Sequence, residues 1–358
     1  MLNSDLTTVP GGASGPARKA ILQIHPSLRC NLSCGHCYSG SGPTARTELD
    51  AATVCQVISD AAAMGYEVVS VSGGEPLMYS GLEEILTHAR SLGLRATVTT
   101  NGFFTGQERM NRLRELVDVL AISLDGPPEI HNEIRGSARA FERLEAGLEN
   151  VRQAGIPFGF IHTLTRRNWE HLLWVAEFAA GNGSSLLQIH PLELTGRAGN
   201  QMIEDAPEDD VLAKVYLLAF ALESKYGDTM KVQLDLLYRD HLREEPGLIY
   251  AAESIDDPDE ISPAQSLGLI VLEPDGMVVP VSFGFSRRYK LCDLKEQRLA
   301  DAWPDYLTNG YLLFRSLCRR VWDELCAPDA PLLSNWHEVI VSRSHVTGVI
   351  SMTNSRAG

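Results

Sequence analysis

The chain has 358 residues, of which 44% are hydrophobic and 22% are charged, and its formal net charge is −15. This composition predicts a soluble globular protein with a sizeable core, and the negative charge excludes a general nucleic-acid binder, because phosphates require a basic surface. No apolar run reaches membrane-spanning length and no secretory signal begins the chain, so a cytoplasmic location is predicted, in which the seven cysteines are reduced thiols or metal ligands.

The first 200 residues predict an α/β fold. Residues 1–19 contain a Pro-Gly-Gly-Ala-Ser-Gly-Pro stretch and are predicted to be a flexible N-terminus. Residues 20–200 alternate short apolar runs with amphipathic stretches, which predicts a parallel sheet covered by helices. Six such units are too few for a closed eight-stranded barrel, so a partial (β/α)6 barrel is favoured, although a doubly wound flat sheet also fits the pattern. The predicted strands are Ile21–His25, Val68–Ser72, Arg95–Thr99, Val119–Leu124, Phe158–Leu164 and Leu186–Pro191.

Residues 201–358 predict a smaller α+β extension of this core. The acidic segment Glu253–Glu260 is expected to be a surface loop. Leu267–Leu272 and Met277–Val281 flank a Pro-Asp-Gly turn, which predicts a β-hairpin over residues 267–281. The predicted helices are a long one over Pro207–Tyr226 and shorter ones near Ala300–Trp303 and Leu312–Leu325.

The loop after the first predicted strand holds three cysteines within eight residues, Cys30, Cys34 and Cys37. Three thiolates on a four-iron cluster leave one iron open to a small molecule, which separates a reactive cluster from a fully ligated electron-transfer cluster. The same spacing allows a structural zinc site, with His36 or His25 as a fourth ligand. The position favours chemistry, because loops at the C-terminal ends of parallel barrel strands carry the active sites.

Three further unusual segments follow the second, third and fourth predicted strands. Gly73 and Gly74 expose backbone groups to a ligand, and Glu75 offers a carboxylate to an ammonium group. Each segment alone is compatible with an ordinary turn, but together they would ring the barrel mouth on the side of the cysteines. The segments are Ser72-Gly73-Gly74-Glu75-Pro76, Thr99-Thr100-Asn101-Gly102 and Ser123-Leu124-Asp125-Gly126.

This combination resembles the radical S-adenosylmethionine (SAM) superfamily, in which CxxxCxxC follows the first strand and Gly-Gly-Glu-Pro follows the second. The later segment His131-Asn132-Glu133-Ile134-Arg135-Gly136 resembles the branch that contains peptide maturases and anaerobic sulfatase-maturing enzymes. The resemblance covers residues 20–195. It implies an enzyme that reductively cleaves SAM to methionine and a 5′-deoxyadenosyl radical, which then abstracts a hydrogen atom from the substrate.

The resemblance also implies a role for each matching residue. Cys30, Cys34 and Cys37 would ligate one 4Fe–4S cluster, and the amino and carboxylate groups of SAM would chelate its open iron. The other implied contacts with SAM are Gly73, Gly74 and Glu75 at the amino group, Ser123 and Arg135 at the ribose and carboxylate end, and Leu192 against the adenine.

The C-terminal extension is similar to the SPASM or twitch extension of this branch, but it lacks the cluster ligands. Val281 stands where the family places a cysteine after the hairpin, and no cysteine precedes the hairpin in the extension. We therefore expect a cluster-free extension that closes the barrel or shapes the substrate site. A second metal held by Cys292, Cys318 and Cys326 is the alternative, although their spacing matches no ligand motif.

The substrate is the least defined part of the prediction. Resemblance favours modification of a ribosomally synthesised peptide, and the alternative is a dehydrogenase, epimerase or decarboxylase of a sugar, nucleoside or other small metabolite. About 20 residues precede the first strand, so a peptide substrate is expected to need a separate leader-peptide recognition protein. Either enzyme needs an external electron donor of the flavodoxin or ferredoxin type. A non-catalytic zinc-binding scaffold is the hypothesis from another class.

Three histidines, His25, His162 and His190, lie in predicted strands. Strand alternation could direct some of them into the barrel. A structural histidine, satisfied by neighbouring groups, is nevertheless the favoured interpretation of each. The sequence therefore identifies no acid, base or hydrogen donor on the substrate side.

Overall fold

A computed structural model describes residues 19–248 and 262–346. The predicted acidic loop Glu253–Glu260 and nearly all of the predicted flexible N-terminus lie outside these ranges. The strands in the described ranges are β1 (Ile21–Ile24), β2 (Val68–Val71), β3 (Arg95–Thr100), β4 (Val119–Ser123), β5 (Phe158–Leu164), β6 (Leu186–Pro191), β7 (Lys231–Leu234), β8 (Leu237–Tyr238), β9 (Leu269–Leu272), β10 (Met277–Pro280), β11 (Cys292–Asp293) and β12 (Leu333–Ser334).

The helices alternate with the first seven strands and then dominate the C-terminal part. Asp50 begins the first of them, because its carboxylate accepts a hydrogen bond from the backbone N–H of Thr53 at 2.9 Å. The helices in the described ranges are α1 (Ala51–Ala63), α2 (Leu82–Ser91), α3 (Gln107–Leu113), α4 (Pro128–Arg135), α5 (Ala140–Ala154), α6 (Leu172–Gly181), α7 (Ala198–Gln201), α8 (Asp209–Tyr226), α9 (Arg239–Glu244), α10 (Pro263–Ser266), α11 (Leu299–Asp305), α12 (Tyr311–Leu325) and α13 (Trp336–Ser344).

The main sheet has ten strands in the order β11-β10-β9-β1-β2-β3-β4-β5-β6-β7. Strands β1 to β7 pair in parallel with their neighbours, which confirms the predicted α/β partial barrel. Within the described residues the sheet is open, with β7 and β11 at its edges. The small second sheet pairs β12 with β8.

The residues assigned to the extension complete this sheet at both of its edges. Strand β7 adds a seventh parallel strand beside β6, and β9 pairs in parallel with β1. Strands β9 and β10 form the predicted hairpin around the Pro-Asp-Gly turn. Helix α11 docks on α1, where the exposed Arg298 binds the buried Asp60 at 2.5 Å. The extension is thus part of the barrel wall.

Burial alternates along β1, β2, β3 and β6, since every second residue is fully buried and the next is partly exposed. The buried residues, such as Leu22, Val69 and Ile189, belong to the main hydrophobic core beneath the helices. The partly exposed residues face the other side of the sheet, which is the interior of the open barrel. Several of these are polar, namely Gln23, Ser70, Thr97, Thr99, Gln188 and His190.

None of the described helices is both long enough and apolar enough to cross a membrane.

Candidate active site

The cysteine loop, residues 29–38, lies across the C-terminal ends of the strands and is fastened there by hydrogen bonds. The backbone N–H of Glu75 donates to the carbonyl of Arg29 at 2.9 Å, which joins the loop to the end of β2. The N–H of Gly35 donates to Ile134 in α4 at 3.0 Å. Arg197, after β6, donates through its side chain to the carbonyl of Cys34 at 2.6 Å. Three separate strand ends therefore hold the loop in place.

The three cysteines lie in a small apolar cluster separate from the main core. Cys30, Leu32 and Cys34 are buried together, and Cys37 and Phe103 pack against them. Burial raises the pKa of Cys30 to about 12 and raises that of Cys34 as well. Deprotonated sulfurs here therefore require a cationic centre, which an iron–sulfur cluster supplies.

Nitrogen donors surround the cysteine sulfurs. The backbone N–H of Leu32 donates to the Sγ of Cys30 at 3.4 Å, and the side-chain amide of Asn101 approaches the same sulfur at 3.8 Å. The guanidinium of Arg135 lies 3.9 Å from the Sγ of Cys34. Such donors stabilise thiolate charge, so the residues present fit a cluster held by Cys30, Cys34 and Cys37.

The geometry differs from that of a compact single-ion site. Among the described residues, no three His, Cys, Asp or Glu side chains are grouped closely enough to hold one metal ion. The thiolates of a four-iron cluster bind separate irons and need no such convergence. The two alternative zinc ligands are also engaged elsewhere: His36 donates to Asp125 at 3.2 Å, and the buried His25 packs against Phe283 with ring centres 4.7 Å apart.

The two glycines after β2 allow the cysteine loop to approach. Gly73 has a φ of 112°, and a Cβ on Gly73 would lie 2.7 Å from the carbonyl oxygen of Ser27. A Cβ on Gly74 would lie only 2.1 Å from the carbonyl oxygen of Arg29. No other residue fits at either position without moving the loop. A contact between these glycines and SAM remains a prediction.

Glu75 joins the ends of β2 and β3. Its buried carboxylate accepts hydrogen bonds from the backbone N–H of Leu77 at 3.0 Å, the hydroxyl of Thr100 at 2.7 Å and the backbone N–H of Asn101 at 2.9 Å. Burial raises the pKa of Glu75, and these hydrogen bonds oppose that rise. The predicted contact with the SAM ammonium would therefore be a fourth hydrogen bond to a carboxylate that already accepts three from the protein.

Arg135 and His36 converge on Asp125, a residue to which its sequence motif assigns no role. Arg135 donates to Oδ2 of Asp125 at 2.6 Å, and His36 lies 3.2 Å from the same oxygen. Burial favours the protonated acid, but the Arg135 and His36 charges hold the pKa of Asp125 well below its usual value. Oδ1 is buried and has no partner among the described residues. An unpartnered buried oxygen is costly, so it fits a donor group of a bound molecule.

The two remaining predicted SAM contacts lie at the ends of β4 and β6. Ser123 ends β4 and is partly exposed. Leu192 follows β6 and packs with Ala198 and Met202 in a small cluster apart from the main core. A Cβ on Gly35 would lie 2.9 Å from the Met202 sulfur, so this cluster borders the cysteine loop. Leu192 is thus close to the predicted cofactor site.

A charged group at the β6 and β7 ends of the mouth has no sequence motif. His190 in β6 donates to Asp235 at 2.9 Å and to Glu193 at 3.1 Å. Burial lowers the pKa of His190, but the two carboxylates outweigh it and raise the pKa to about 10. The His190 side chain is 28% exposed, so this imidazolium faces the barrel mouth. We call Glu193, His190 and Asp235 the mouth triad.

Polar groups from three elements surround the mouth triad. Asp235 also accepts hydrogen bonds from Gln188 at 2.6 Å and Gln233 at 2.9 Å. Glu338 in α13 accepts one from the backbone N–H of Leu194 at 3.2 Å, which brings the extension to the same place. Three carboxylates therefore lie around the imidazolium of His190. His190 and Asp235 are 45 residues apart, so no local spacing indicates the site.

The extension also reaches the cysteine loop. Val281, where the resemblance predicts a missing cysteine, is the one non-glycine residue with a positive φ in the described ranges, at 69°. The chain reverses there and brings Phe283 against His25 and against Tyr38, which follows Cys37. Cys292 and Cys318 are buried in the main core. Within the described residues the extension thus packs against the barrel mouth.

The sequence is similar to those of several known proteins. The profile of the Radical SAM superfamily matches residues 24–179. Fe-coproporphyrin III synthase of Methanosarcina barkeri is 26% identical over 80% of this chain and 74% of its own length. AdoMet-dependent heme synthase of the same organism is 35% identical over 50% of this chain and 52% of its own length. Sporulation killing factor maturation protein SkfB of Bacillus subtilis is 28% identical over 57% of this chain and 49% of its own.

The fold also matches solved structures. Streptococcus suis SuiB bound to S-adenosylmethionine superposes with a TM-score of 0.66 at 18% identity, over 84% of this chain and 68% of SuiB. The same protein has been solved with its precursor peptide SuiA. This chain spans about half the length of the heme synthase and of SkfB. Residues 24–179 are thus similar to the radical SAM superfamily, whose enzymes work with a 4Fe–4S cluster and S-adenosylmethionine.

Proposed function

We propose that this radical SAM enzyme abstracts a hydrogen atom from a residue within a ribosomally synthesised peptide. The bound cluster and SAM would supply the 5′-deoxyadenosyl radical for this step. Two comparisons support a peptide: the similarity to SkfB, a peptide maturation protein by name, and the shared fold with SuiB, which binds a precursor peptide. The polar, acidic mouth of the barrel is the observation that carries the proposal.

The mouth suits a substrate rich in hydrogen-bond donors. The partly exposed face of β1, β3 and β6 presents amides and hydroxyls, and Glu193, Asp235 and Glu338 add carboxylates. A peptide offers a backbone N–H at almost every residue and basic side chains as well. These groups complement the hydrogen-bond acceptors of the mouth. The net negative charge of the mouth triad and Glu338 also favours a neutral or basic peptide segment.

The second candidate is a reaction on a small metabolite. The similarity to Fe-coproporphyrin III synthase and to AdoMet-dependent heme synthase favours it. A porphyrin, however, is a large apolar ring that carries carboxylates. Its ring would meet the polar strand faces, and its carboxylates would lie near Glu193, Asp235 and Glu338, which repel them. The mouth therefore supports the peptide more strongly than the tetrapyrrole.

The residues on the cysteine side would bind and orient SAM. Arg135 has further N–H donors beyond those directed at Asp125 and Cys34, and a guanidinium fork suits a carboxylate. Asp125 keeps that guanidinium fixed and offers its free oxygen to a donor. Gly73 and Gly74 keep the loop backbone close. The β6 and β7 ends of the mouth are then left for the substrate.

A deuterium-transfer experiment tests the proposal. Anaerobically reconstituted enzyme is mixed with SAM, dithionite and a precursor peptide encoded beside its gene, deuterated at candidate carbons, with and without any leader-binding protein encoded there. We expect deuterium in 5′-deoxyadenosine and a change in peptide mass. Deuterium transfer from coproporphyrin, a sugar or a nucleoside, with the peptide unchanged, would replace the peptide by the small-metabolite function.

A further inference from the structure

Two buried serines follow the third cysteine of the loop and contact its sulfur. Ser39 is 9% exposed and Ser41 is 2% exposed. The Oγ of Ser39 lies 3.4 Å from the Sγ of Cys37 and 2.7 Å from the Oγ of Ser41. Neither hydroxyl has another hydrogen-bond partner within residues 19–248 and 262–346. The three side chains therefore form a hydrogen-bonded chain that begins at Ser41 and ends at the sulfur.

Backbone contacts hold both serines beside the sulfur. The N–H of Gly40 donates to the carbonyl of Cys37 at 3.3 Å, which closes a tight turn around Ser39. The guanidinium of Arg197 donates to the carbonyl of Ser41 at 2.6 Å, and the backbone N–H of Arg197 donates to the carbonyl of Cys37 at 2.9 Å. The loop therefore fixes where the two hydroxyls lie relative to Cys37.

The number of hydrogens shows which state of Cys37 this chain fits. Its two contacts, sulfur to Ser39 and Ser39 to Ser41, each use one hydrogen. A protonated Cys37 adds its own hydrogen to those of the two hydroxyls, so one buried hydrogen has no acceptor, which is costly. With a thiolate, Ser41 donates to Ser39 and Ser39 donates to the sulfur, so both hydrogens are used. The serines therefore fit a deprotonated Cys37, which is the form that binds a metal.

The hydroxyl is also the sulfur contact that can be removed most cleanly. The other two cysteine sulfurs lie near nitrogen donors, namely a backbone N–H, an amide and a guanidinium. A backbone N–H cannot be deleted by substitution, and Arg135 also holds the buried Asp125. Replacing Ser39 by Ala removes one oxygen and changes no charge. The effect of a single donor on the sulfur can therefore be measured at Cys37.

We propose that Ser39, aligned by Ser41, donates a hydrogen bond to the Cys37 thiolate and thereby raises the reduction potential of the cluster. Reduction by one electron increases the negative charge on the cluster and its sulfurs, so a hydrogen-bond donor stabilises the reduced state more than the oxidised state. Ser41 strengthens the effect, because successive hydrogen bonds polarise one another. No bond breaks, and both hydroxyls keep their protons. The inference rests on Cys37 as a ligand and is independent of the peptide substrate.

The test is a redox titration of the reconstituted protein without SAM or peptide. Dithionite supplies the electrons through viologen mediators, and electron paramagnetic resonance follows the reduced cluster. We expect one-electron reduction of Ser39→Ala to be about three- to tenfold less favourable than in wild type, which lowers the midpoint potential by about 30–60 mV. Ser41→Ala should lower it by less. The control is Ser33→Ala, an exposed serine of the same loop, and its midpoint should equal that of wild type.

An unchanged or higher midpoint potential in Ser39→Ala would overturn the proposal. So would an equal decrease in Ser33→Ala, because the midpoint would then respond to any change in the loop. If Ser39→Ala loses its iron, Ser41→Ala decides, since it leaves the side chain beside the sulfur in place, and an unchanged midpoint there overturns the proposal. A wild-type protein that binds no cluster would refute Cys37 as a ligand. Failure of deuterium transfer from a peptide would contradict only the proposed function, because these midpoints are measured without substrate.

Discussion

The two sides of the barrel mouth are built in different ways. On the cysteine side, short contiguous segments follow β1, β2 and β4. Backbone hydrogen bonds join Cys30–Cys37 to Gly73–Glu75, and side-chain contacts with His36 and Arg135 bring Asp125 to them. At the β6 and β7 ends of the mouth, the mouth triad and Glu338 come from β6, β7 and α13, which are distant in the chain. In our proposal the first side would hold the cofactors, whose chemistry is fixed, and the second would face the substrate. Short sequence motifs would then indicate the cofactor, and tertiary contacts would indicate the substrate.

The largest effect should come from removing the cysteines. Replacement of Cys30, Cys34 and Cys37 together by Ala should abolish binding of about four irons and four sulfides per chain. Iron and sulfide are measured after anaerobic reconstitution. The matched control replaces Cys55, Cys292 and Cys318 by Ala and should keep the iron. Iron retained in the first variant would show that the cysteine side does not hold the cofactor.

The next effect concerns SAM affinity. Arg135→Ala would leave the buried Asp125 carboxylate without its cation, which would lower the free energy of unfolding by about 3–5 kcal/mol. Arg135→Lys is therefore the better variant. Lysine keeps a charge near Asp125 but loses the fork that suits a carboxylate. We expect SAM to bind roughly 10- to 100-fold more weakly, the value of one charged hydrogen bond, with iron content unchanged. Equilibrium dialysis measures the affinity.

Arg167→Lys is the control for this variant, since Arg167 also pairs with two carboxylates but lies on the surface. Its SAM affinity should equal that of wild type. If Arg135→Lys also binds SAM normally, Arg135 serves the fold of the cysteine loop and makes no important contact with the cofactor.

The fold was largely predictable because its strands are short apolar runs in regular alternation with amphipathic helices. Phe158–Leu164 and Leu186–Pro191 match their predicted bounds, and the hairpin follows from its Pro-Asp-Gly turn. Strand β7 was not predicted, because its sequence Lys-Val-Gln-Leu carries a weak pattern and gains stability from pairing with β6. Long-range pairing of this kind has no local signal.

The candidate site was predictable only where it is local. The cysteine spacing and the Gly73–Gly74 pair are visible in the sequence because the close approach of two backbones demands small residues. The importance of Asp125 emerges only when Arg135 and His36 are seen on one carboxylate oxygen. In the sequence His190 is an ordinary strand histidine, because its partner Asp235 lies 45 residues away.

Glu75→Gln separates a structural role from a cofactor role on the cysteine side. The amide cannot accept from all three donors that the carboxylate serves, so at least one buried N–H or O–H loses its partner. We expect the cluster-free protein to lose about 1–3 kcal/mol of unfolding free energy in urea. The exposed Glu115→Gln is the control. A normal unfolding free energy with weakened SAM binding would assign Glu75 to the cofactor alone.

The smallest effect tests the mouth triad through pH. The His190 pKa is raised from 6.5 to about 10, so the stability it contributes is fully present below pH 6.5 and is lost as pH rises through 10. Hydrogen bonds and the charge of His190 lower the pKa values of Glu193 and Asp235, although burial opposes this. The stability that these two carboxylates contribute is therefore lost only at acidic pH. The Tm difference between wild type and His190→Gln should therefore be largest near pH 6.5 and shrink toward pH 10.5.

Thermal unfolding of the cluster-free protein across this range measures the difference, and a few degrees are expected at its maximum. The control is His88→Gln, whose histidine bonds Ser59 between α1 and α2 and touches neither carboxylate. Glu338 adds a further negative charge near His190 and should strengthen the effect. A difference that does not depend on pH would mean that His190 is uncharged in the folded protein. The mouth would then carry a larger net negative charge, because a neutral His190 does not offset Glu193 and Asp235. A basic peptide segment could pair with these carboxylates without competition from an imidazolium.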